Sequence, residues 1–183
     1  MAQWNIDPVH ATAAFAARHM MVSTVRGDFK NVTGTIDFDP DNPQAGGSVE
    51  AVIEVSSMSS TGNEQRDGHL LSADFLDAEN HPTITFKSTS VKVDSDGTSA
   101  KVTGDLTIRG VTKSVVLDTE FLGRAQSPYG HQVVGFTAST KINREDFGLT
   151  WNMALETGGW LVGKDIKIEL DLEAVPVEQQ ELA

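Results

Sequence analysis

Arg66, Asp67 and His69 are the densest group of chemically capable side chains in the sequence. An imidazole near a carboxylate and a guanidinium can move a proton, or hold the polar head of a ligand. The residues that follow give the group a second reading. Leu71 and Phe75 lie four positions apart, with Leu70 and Leu76 beside them. One or two helical turns would gather these four on one side, with polar residues on the other. Ser72 is placed to cap a second short turn, with Asp74 near its positive end. On this reading Leu70, Leu71, Phe75 and Leu76 are an apolar plug, and Arg66, Asp67 and His69 are its polar anchors. Neighbours in sequence do not face each other on a helix, so Arg66 and Asp67 are expected to reach different partners.

Other chemistry has less support. His10 and His19 are an odd number of residues apart, which puts them on opposite faces of a strand unless a bulge intervenes. His69, His81 and His131 show no metal-ligand spacing, so neither a metal nor a cofactor is expected. The chain has no cysteine, which excludes disulfides and thiolate nucleophiles. A nucleophile-elbow motif and a phosphate-cradling glycine loop are both missing. With 14 basic and 26 acidic residues the formal charge is -12. That argues against nucleic acid and against docking on anionic lipid, since both need a basic surface.

The elements that must position these residues are strands. Val32, Gly34, Ile36 and Phe38 alternate with polar residues, and so do Val49, Ala51, Ile53 and Val55. Ile84 and Phe86 continue the pattern, followed by Val102 to Ile108, Val115 to Phe121, Val134 to Ile142, and Ile166 to Leu172. Phe29 has the wrong parity for the strand after it, which predicts a bulge near Lys30 and Asn31. Val91 and Val93 have switched parity relative to Phe86, which predicts another. Gly110 to Thr112 reads as the short loop of a hairpin, with Asp105 and Arg109 facing outward before it. About eight strands joined mostly by short turns make an all-β protein, either a barrel or a sandwich. Small inward residues (Ala13, Ala17, Gly34, Ala51, Gly104, Ala138) favour an antiparallel barrel with space inside. The helical insert falls near residues 64–77.

The 183 residues suit one domain, 1–175, followed by a polar tail, 176–183. No run approaches the roughly 20 apolar residues that span a bilayer as a helix. The first residues carry no basic and apolar leader pattern, so a cytoplasmic location is expected for the sequence as given. A removed leader would instead mean a periplasmic or secreted protein.

The order and spacing of the punctuating motifs carry a resemblance. They begin with Trp4-Asn5-Ile6-Asp7-Pro8-Val9-His10, then Phe15, His19 and Arg26-Gly27-Asp28-Phe29. Arg66-Asp67-Gly68-His69-Leu70, Asp74-Phe75-Leu76-Asp77 and His81-Pro82-Thr83-Ile84-Thr85-Phe86 follow. Gly104 to Lys113 and Asn143-Arg144-Glu145-Asp146-Phe147-Gly148-Leu149 complete the series. From Trp4 to Ala174 the chain resembles the YceI-like family, also called polyisoprenoid-binding or lipocalin-like YceI proteins. The resemblance implies an extended eight-stranded antiparallel lipocalin-like β-barrel with a long apolar lumen and a short helical segment at its mouth. It also implies a homodimer and a bound isoprenoid or other lipid. Position by position, the family's strand aromatics fall on Phe15, Phe29, Phe86 and Phe136. Its later motifs fall on Arg66, Asp67, His69, Leu70, Phe75 and Asp77, and on Asn143, Arg144, Phe147 and Gly148.

Apolar residues at strand spacing read, by themselves, as plain core. The resemblance turns them into a lumen wall. The expected ligand-binding set is then Phe15, His19, Phe38, Ile53, Leu70, Leu71, Phe75, Ile84, Phe86, Leu106, Ile108, Phe121, Phe136, Ile166 and Ile168. The expected function is non-enzymatic binding, carriage or storage of a long-chain ligand such as a polyprenyl compound or isoprenoid quinone. Its polar head is expected near the helical insert. Two other readings stay open: a barrel enzyme, an isomerase or cyclase of a lipidic substrate, using His19, Arg66, Asp67 or His69; and a stress-related interaction module with a filled core.

Overall fold

Alternation at period two becomes nine antiparallel strands in the computed structural model, which describes residues 1–177. In chain order these are β1 (Ala2–His19), β2 (Ser23–Phe29), β3 (Val32–Phe38), β4 (Gly47–Glu54) and β5 (Thr83–Val93). They continue as β6 (Ser99–Ile108), β7 (Val111–Gln126), β8 (Gln132–Asn143) and β9 (Val162–Pro176). The single α-helix among the described residues, α1 (Glu64–Leu71), lies between β4 and β5. Both β2 and β3 pair with β1, one along each half of it, so nine strands fill eight positions. β9 pairs with β8 on one side and β1 on the other, which closes the sheet into a barrel.

Parity changes in the sequence appear as breaks in the ladder. The chain leaves strand geometry at Lys30 and Asn31, between β2 and β3. The β5–β6 register shifts between Ser88 and Ser90. The β6–β7 hairpin is tighter than the expected loop. Its turn is Arg109-Gly110, with φ of 51° and 74°, and Val111 and Thr112 already pair with Ile108 and Thr107. Two successive positive φ values match the twist of the flanking strands, and a longer loop is not needed. β9 extends through Pro176, which pairs with Trp4, so the first residue of the expected tail is strand. The remainder of that tail lies outside the described residues.

Connections collect at two ends. At one end lie the β1–β2 turn, α1, the β6–β7 turn and the long β8–β9 connection, which begins with the 3-10 turn Arg144–Phe147. At the far end lie the β3–β4 loop and the β5–β6 and β7–β8 turns. The core runs between them, from Phe75, Phe147 and Leu149 to Trp4, Ile36 and Phe38.

Not every small inward residue leaves space. A Cβ on Gly104 would stand 2.4 Å from Phe86 Cζ and 2.6 Å from the Lys87 carbonyl oxygen. One on Gly27 would stand 2.5 Å from Phe15 Cζ. These glycines let aromatic rings lie flat against the wall, whereas Ala13, Ala17, Ala51 and Ala138 border open volume. Gly104→Ala is therefore expected to destabilise the barrel by about 1–3 kcal/mol, read as a lower urea midpoint. Adding Phe86→Leu should recover only part of the loss, because the Lys87 carbonyl stays in the way. An unchanged midpoint in Gly104→Ala would mean the ring and strand yield freely.

Candidate ligand-binding lumen

Inward residues of every barrel strand enclose a cavity of about 290 Å³. On β9 its wall is Val162, Ile166, Ile168, Leu170 and Leu172. That run covers roughly 33 Å along the strand at about 3.3 Å per residue, so the cavity is long and narrow. Phe38 packs edge-on against Phe121 and Phe136, with ring centroids 4.8 and 5.2 Å away. The charged residues bordering the cavity are Asp37 and Arg144, at opposite ends. Asp37 shares the far end with Ser48, Thr98 and Ser99, and Ser48 Oγ donates to Asp37 at 3.1 Å.

α1 seals the other end. Asn63 caps it by accepting from the Arg66 amide at 3.0 Å. Asp67 accepts from the Thr61 amide at 2.9 Å, from Thr61 Oγ1 at 2.5 Å and from Ser60 Oγ at 2.8 Å. Arg66 donates to Thr61 Oγ1 at 2.8 Å and to the Thr61 carbonyl at 2.6 Å. After α1 the chain turns on Ser72, whose carbonyl accepts from the Phe75 and Asp77 amides. Ser72 Oγ accepts from the Asp74 amide at 3.3 Å. This turn drives Phe75 into the barrel, where it is 5% exposed. Arg109, in the β6–β7 turn, donates to the Phe75 carbonyl at 3.1 Å and ties the insert to the rim. His69 Nε2 lies 2.9 Å from Asp74 Oδ2, and its ring stands edge-on to Trp151 at 4.4 Å and Phe75 at 5.0 Å.

Below Phe75 sits Arg144, 3% exposed. Its guanidinium is 5.9 Å from the Phe75 ring centroid. It donates to the carbonyls of Gly163, Leu149, Trp151 and Val162 at 2.8, 2.6, 2.9 and 3.3 Å. Burial pulls its pKa below the ordinary guanidinium value, with Glu145 opposing, and a guanidinium stays charged at any physiological pH. One side chain thus gathers both arms of the long β8–β9 connection. Gly148, next to it, takes the left-handed conformation at φ 80°.

Of the residues expected to face a ligand, all border the cavity except His19 and Leu71. His19 ends β1 beside the turn to β2, where its carbonyl accepts from the Val22 amide and Ser23 Oγ. Leu71 packs against the core without bordering the cavity, while Leu76 takes a place in the wall. Arg66 and Asp67 do not reach different partners. Both converge on Thr61, because the loop before α1 folds back over the helix. The lining surface is almost wholly apolar: the polar residues Asp37, Ser48, Thr98 and Ser99 border the end away from α1, Thr140 borders the wall nearer α1, and the α1 end itself is filled by Leu70, Phe75, Phe147 and Leu149. The buried, carbonyl-binding role of Arg144 and the rim contact of Arg109 were not legible. Their partners are backbone atoms, which leave no pattern in side-chain sequence.

A family model for the YceI-like domain matches residues 4–174. The chain belongs to the YceI-like family. A UPF0312 protein of Staphylococcus epidermidis is 40% identical to it, over 94% of this chain and 97% of that one. The crystal structure of a YceI protein from Campylobacter jejuni superposes with a TM-score of 0.72 at 34% identity, covering 86% of this chain and 88% of that chain. A polyisoprenoid-binding domain from Saccharophagus degradans shares the fold, with a TM-score of 0.70 at 12% identity, covering 96% of this chain and 99% of that one. The YceI barrel and its helical insert are therefore the frame in which the lumen must be read.

Two measurements test the α1 end. Arg144→Met removes the guanidinium donor from the carbonyls of Gly163, Leu149 and Trp151, while Val162 keeps Asn152 Nδ2, so a loss of at least about 3 kcal/mol is expected on denaturation. Proteolysis between residues 149 and 163 should quicken in the same variant. A loss below about 1 kcal/mol would mean that water replaces the guanidinium at little cost. The second test uses pH. Hydrogen bonds from Thr61 and then Ser60 hold the Asp67 carboxyl below its ordinary 3.8. A carboxylate with a lowered folded pKa adds stability that is full above the unfolded value and is lost as pH falls through the folded one. Asp67→Asn should thus be less stable than the parent near neutrality, with the gap narrowing below pH 3.8. A gap constant through the acid range would show that charge is not its source.

Proposed function

We propose that this YceI-like protein binds and carries or stores a hydrophobic chain without chemically changing it. The ligand class that fits best is an isoprenoid, either a polyprenyl compound or an isoprenoid quinone. The observation that carries the reading is the long, narrow, apolar cavity with charged wall residues confined to its two ends. Burial of each CH₂ is worth about 0.8 kcal/mol, so affinity for a chain comes from length of contact and not from directed polar bonds. The printed description of the Saccharophagus degradans domain, polyisoprenoid binding, supports the same class for a barrel of this shape.

The head group lies at the far end in this reading, near Asp37, Ser48, Thr98 and Ser99. The α1 end holds the tail tip against Phe75 and Phe147. Arg66, Asp67 and His69 support the cover, and their hydrogen bonds go to Thr61 and Asp74. That arrangement favours binding over catalysis, because acid–base chemistry needs such groups presented to the bound molecule. Dimerisation, implied by the family, is part of the same reading and is checked by light scattering on the purified protein.

Solvent extraction and native mass spectrometry of purified protein should recover a lipid. Delipidated protein should bind isoprenoid quinones with affinity rising per isoprene unit until the cavity is filled, then levelling. Ala138→Trp, which places an indole in the wall, should cut binding at least about tenfold while circular dichroism confirms the fold. Protein that is repeatedly ligand-free and ignores added quinones of every length would sink the proposal.

A further inference from the structure

The seam that closes the barrel carries a second constellation, on its outer side. Ile6 pairs with Ala174 and Ala11 pairs with Leu172, so four residues of β1, Asp7 to His10, stand opposite the single Glu173 of β9. A regular ladder would place one residue there. The extra length turns Asp7 and His10 toward Glu173. His10 Nδ1 lies 2.9 Å from Asp7 Oδ2 and 4.0 Å from Glu173 Oε1. The three donor atoms all lie within 4.8 Å of one another. The other Asp7 oxygen accepts from the Val9 amide at 3.0 Å, which fixes the orientation of the carboxylate. The frame beneath is packed solid: Ile6 and Ala11 are each 2% exposed and Ala174 is 0% exposed.

We propose that Asp7, His10 and Glu173 bind one divalent transition-metal ion across the β1–β9 seam, independently of the lumen. One imidazole nitrogen with two carboxylate oxygens is a mixed donor set that suits zinc or manganese. It lacks the thiolates of a soft site and the all-oxygen cage of a calcium or magnesium site. Around an ion about 2.1 Å from each donor, tetrahedral ligands are roughly 3.4 Å apart. The two His10 distances bracket that value, so small side-chain rotations complete the geometry. Two carboxylate charges balance those of the ion. The exposed side of His10 leaves the remaining coordination positions to water or to an exogenous ligand. The donors come from both partners of the closing pair and meet only when the barrel is shut. The ion therefore binds the folded state selectively and raises its stability.

The test uses full-length protein stripped with chelator, at a pH well above the range where free imidazole takes up a proton. Calorimetric titration with zinc, and separately with manganese, should give one saturable site, and saturation should raise the melting temperature. His10→Ala, Asp7→Asn and Glu173→Gln are each expected to weaken binding at least about tenfold, the scale of losses from even supporting residues of metal sites. His69→Ala and His81→Ala remove the two-donor pairs with Asp74 and Asp77, and should leave affinity unchanged. Circular dichroism confirms that each variant folds. Absence of a saturable site for either metal overturns the proposal. So does binding that survives in the three seam variants, or that is lost in the two control variants.

Discussion

The pairing of β1 with β9 is the constraint on which the rest of this structure depends. A sheet that closes has no free edge, and an eight-position barrel has an interior only a few side chains wide. Once β1 meets β9, every inward residue of every strand faces the others across one narrow space. Alternation then does double duty. It puts Ile166, Ile168, Leu170 and Leu172 inside while Lys167, Glu169 and Asp171 meet water outside. Among the described residues, charged side chains border the lumen wall only at its ends.

Closure leaves two open ends, and the chain treats them differently. At the α1 end an aromatic ring, Phe75, is pushed into the barrel and held from both sides. Arg109 fixes its carbonyl from the rim, and Arg144 lies beneath its face. Among the described residues Arg144 is a buried cation without a buried counter-ion. Its cost is offset by four carbonyl acceptors, an arrangement that fixes the loop as firmly as the loop solvates the charge. Among the described residues the far end has no such cover. Its wall ends at Asp37, Ser48, Thr98 and Ser99 and the glycines Gly46, Gly47 and Gly97.

Much of this was legible because strand alternation is a strong signal over long runs. The inward parity of β3, β4, β6, β7, β8 and β9 could be read directly, and the parity slips at Lys30–Asn31 and before Val91 announced real irregularities. The helical insert was legible for the opposite reason: Leu71 and Phe75 break the alternation. What stayed hidden depends on contacts between distant segments. His19 has inward parity on paper, but it sits where β1 gives way to a turn, beyond the wall. Arg66 and Asp67 meet on Thr61 because a loop folds back, which helix geometry alone does not predict. Asp7 and His10 become neighbours of Glu173 only through a bulge, and more than 160 residues separate them in the chain.

The distribution of polarity bears on how such a barrel selects a ligand. Apolar burial is nearly additive in length and nearly blind to chemical detail, so the wall by itself discriminates by length and width. Chemical identity has to be read where polar groups meet the ligand. At the α1 end Arg144 already donates to four carbonyls, which leaves it little to offer a head group. At the far end Ser48 is bonded to Asp37 and Ser99 Oγ to Asp96, but both are exposed contacts that a ligand can exchange, and Thr98 stands beside them. On the proposed reading, substitutions at Asp37, Ser48, Thr98 and Ser99 should change which head group is accepted. Substitutions along the wall should change how long a chain is held. That separation follows from the position of a single helix, which seals one end of a closed sheet and leaves recognition to the other.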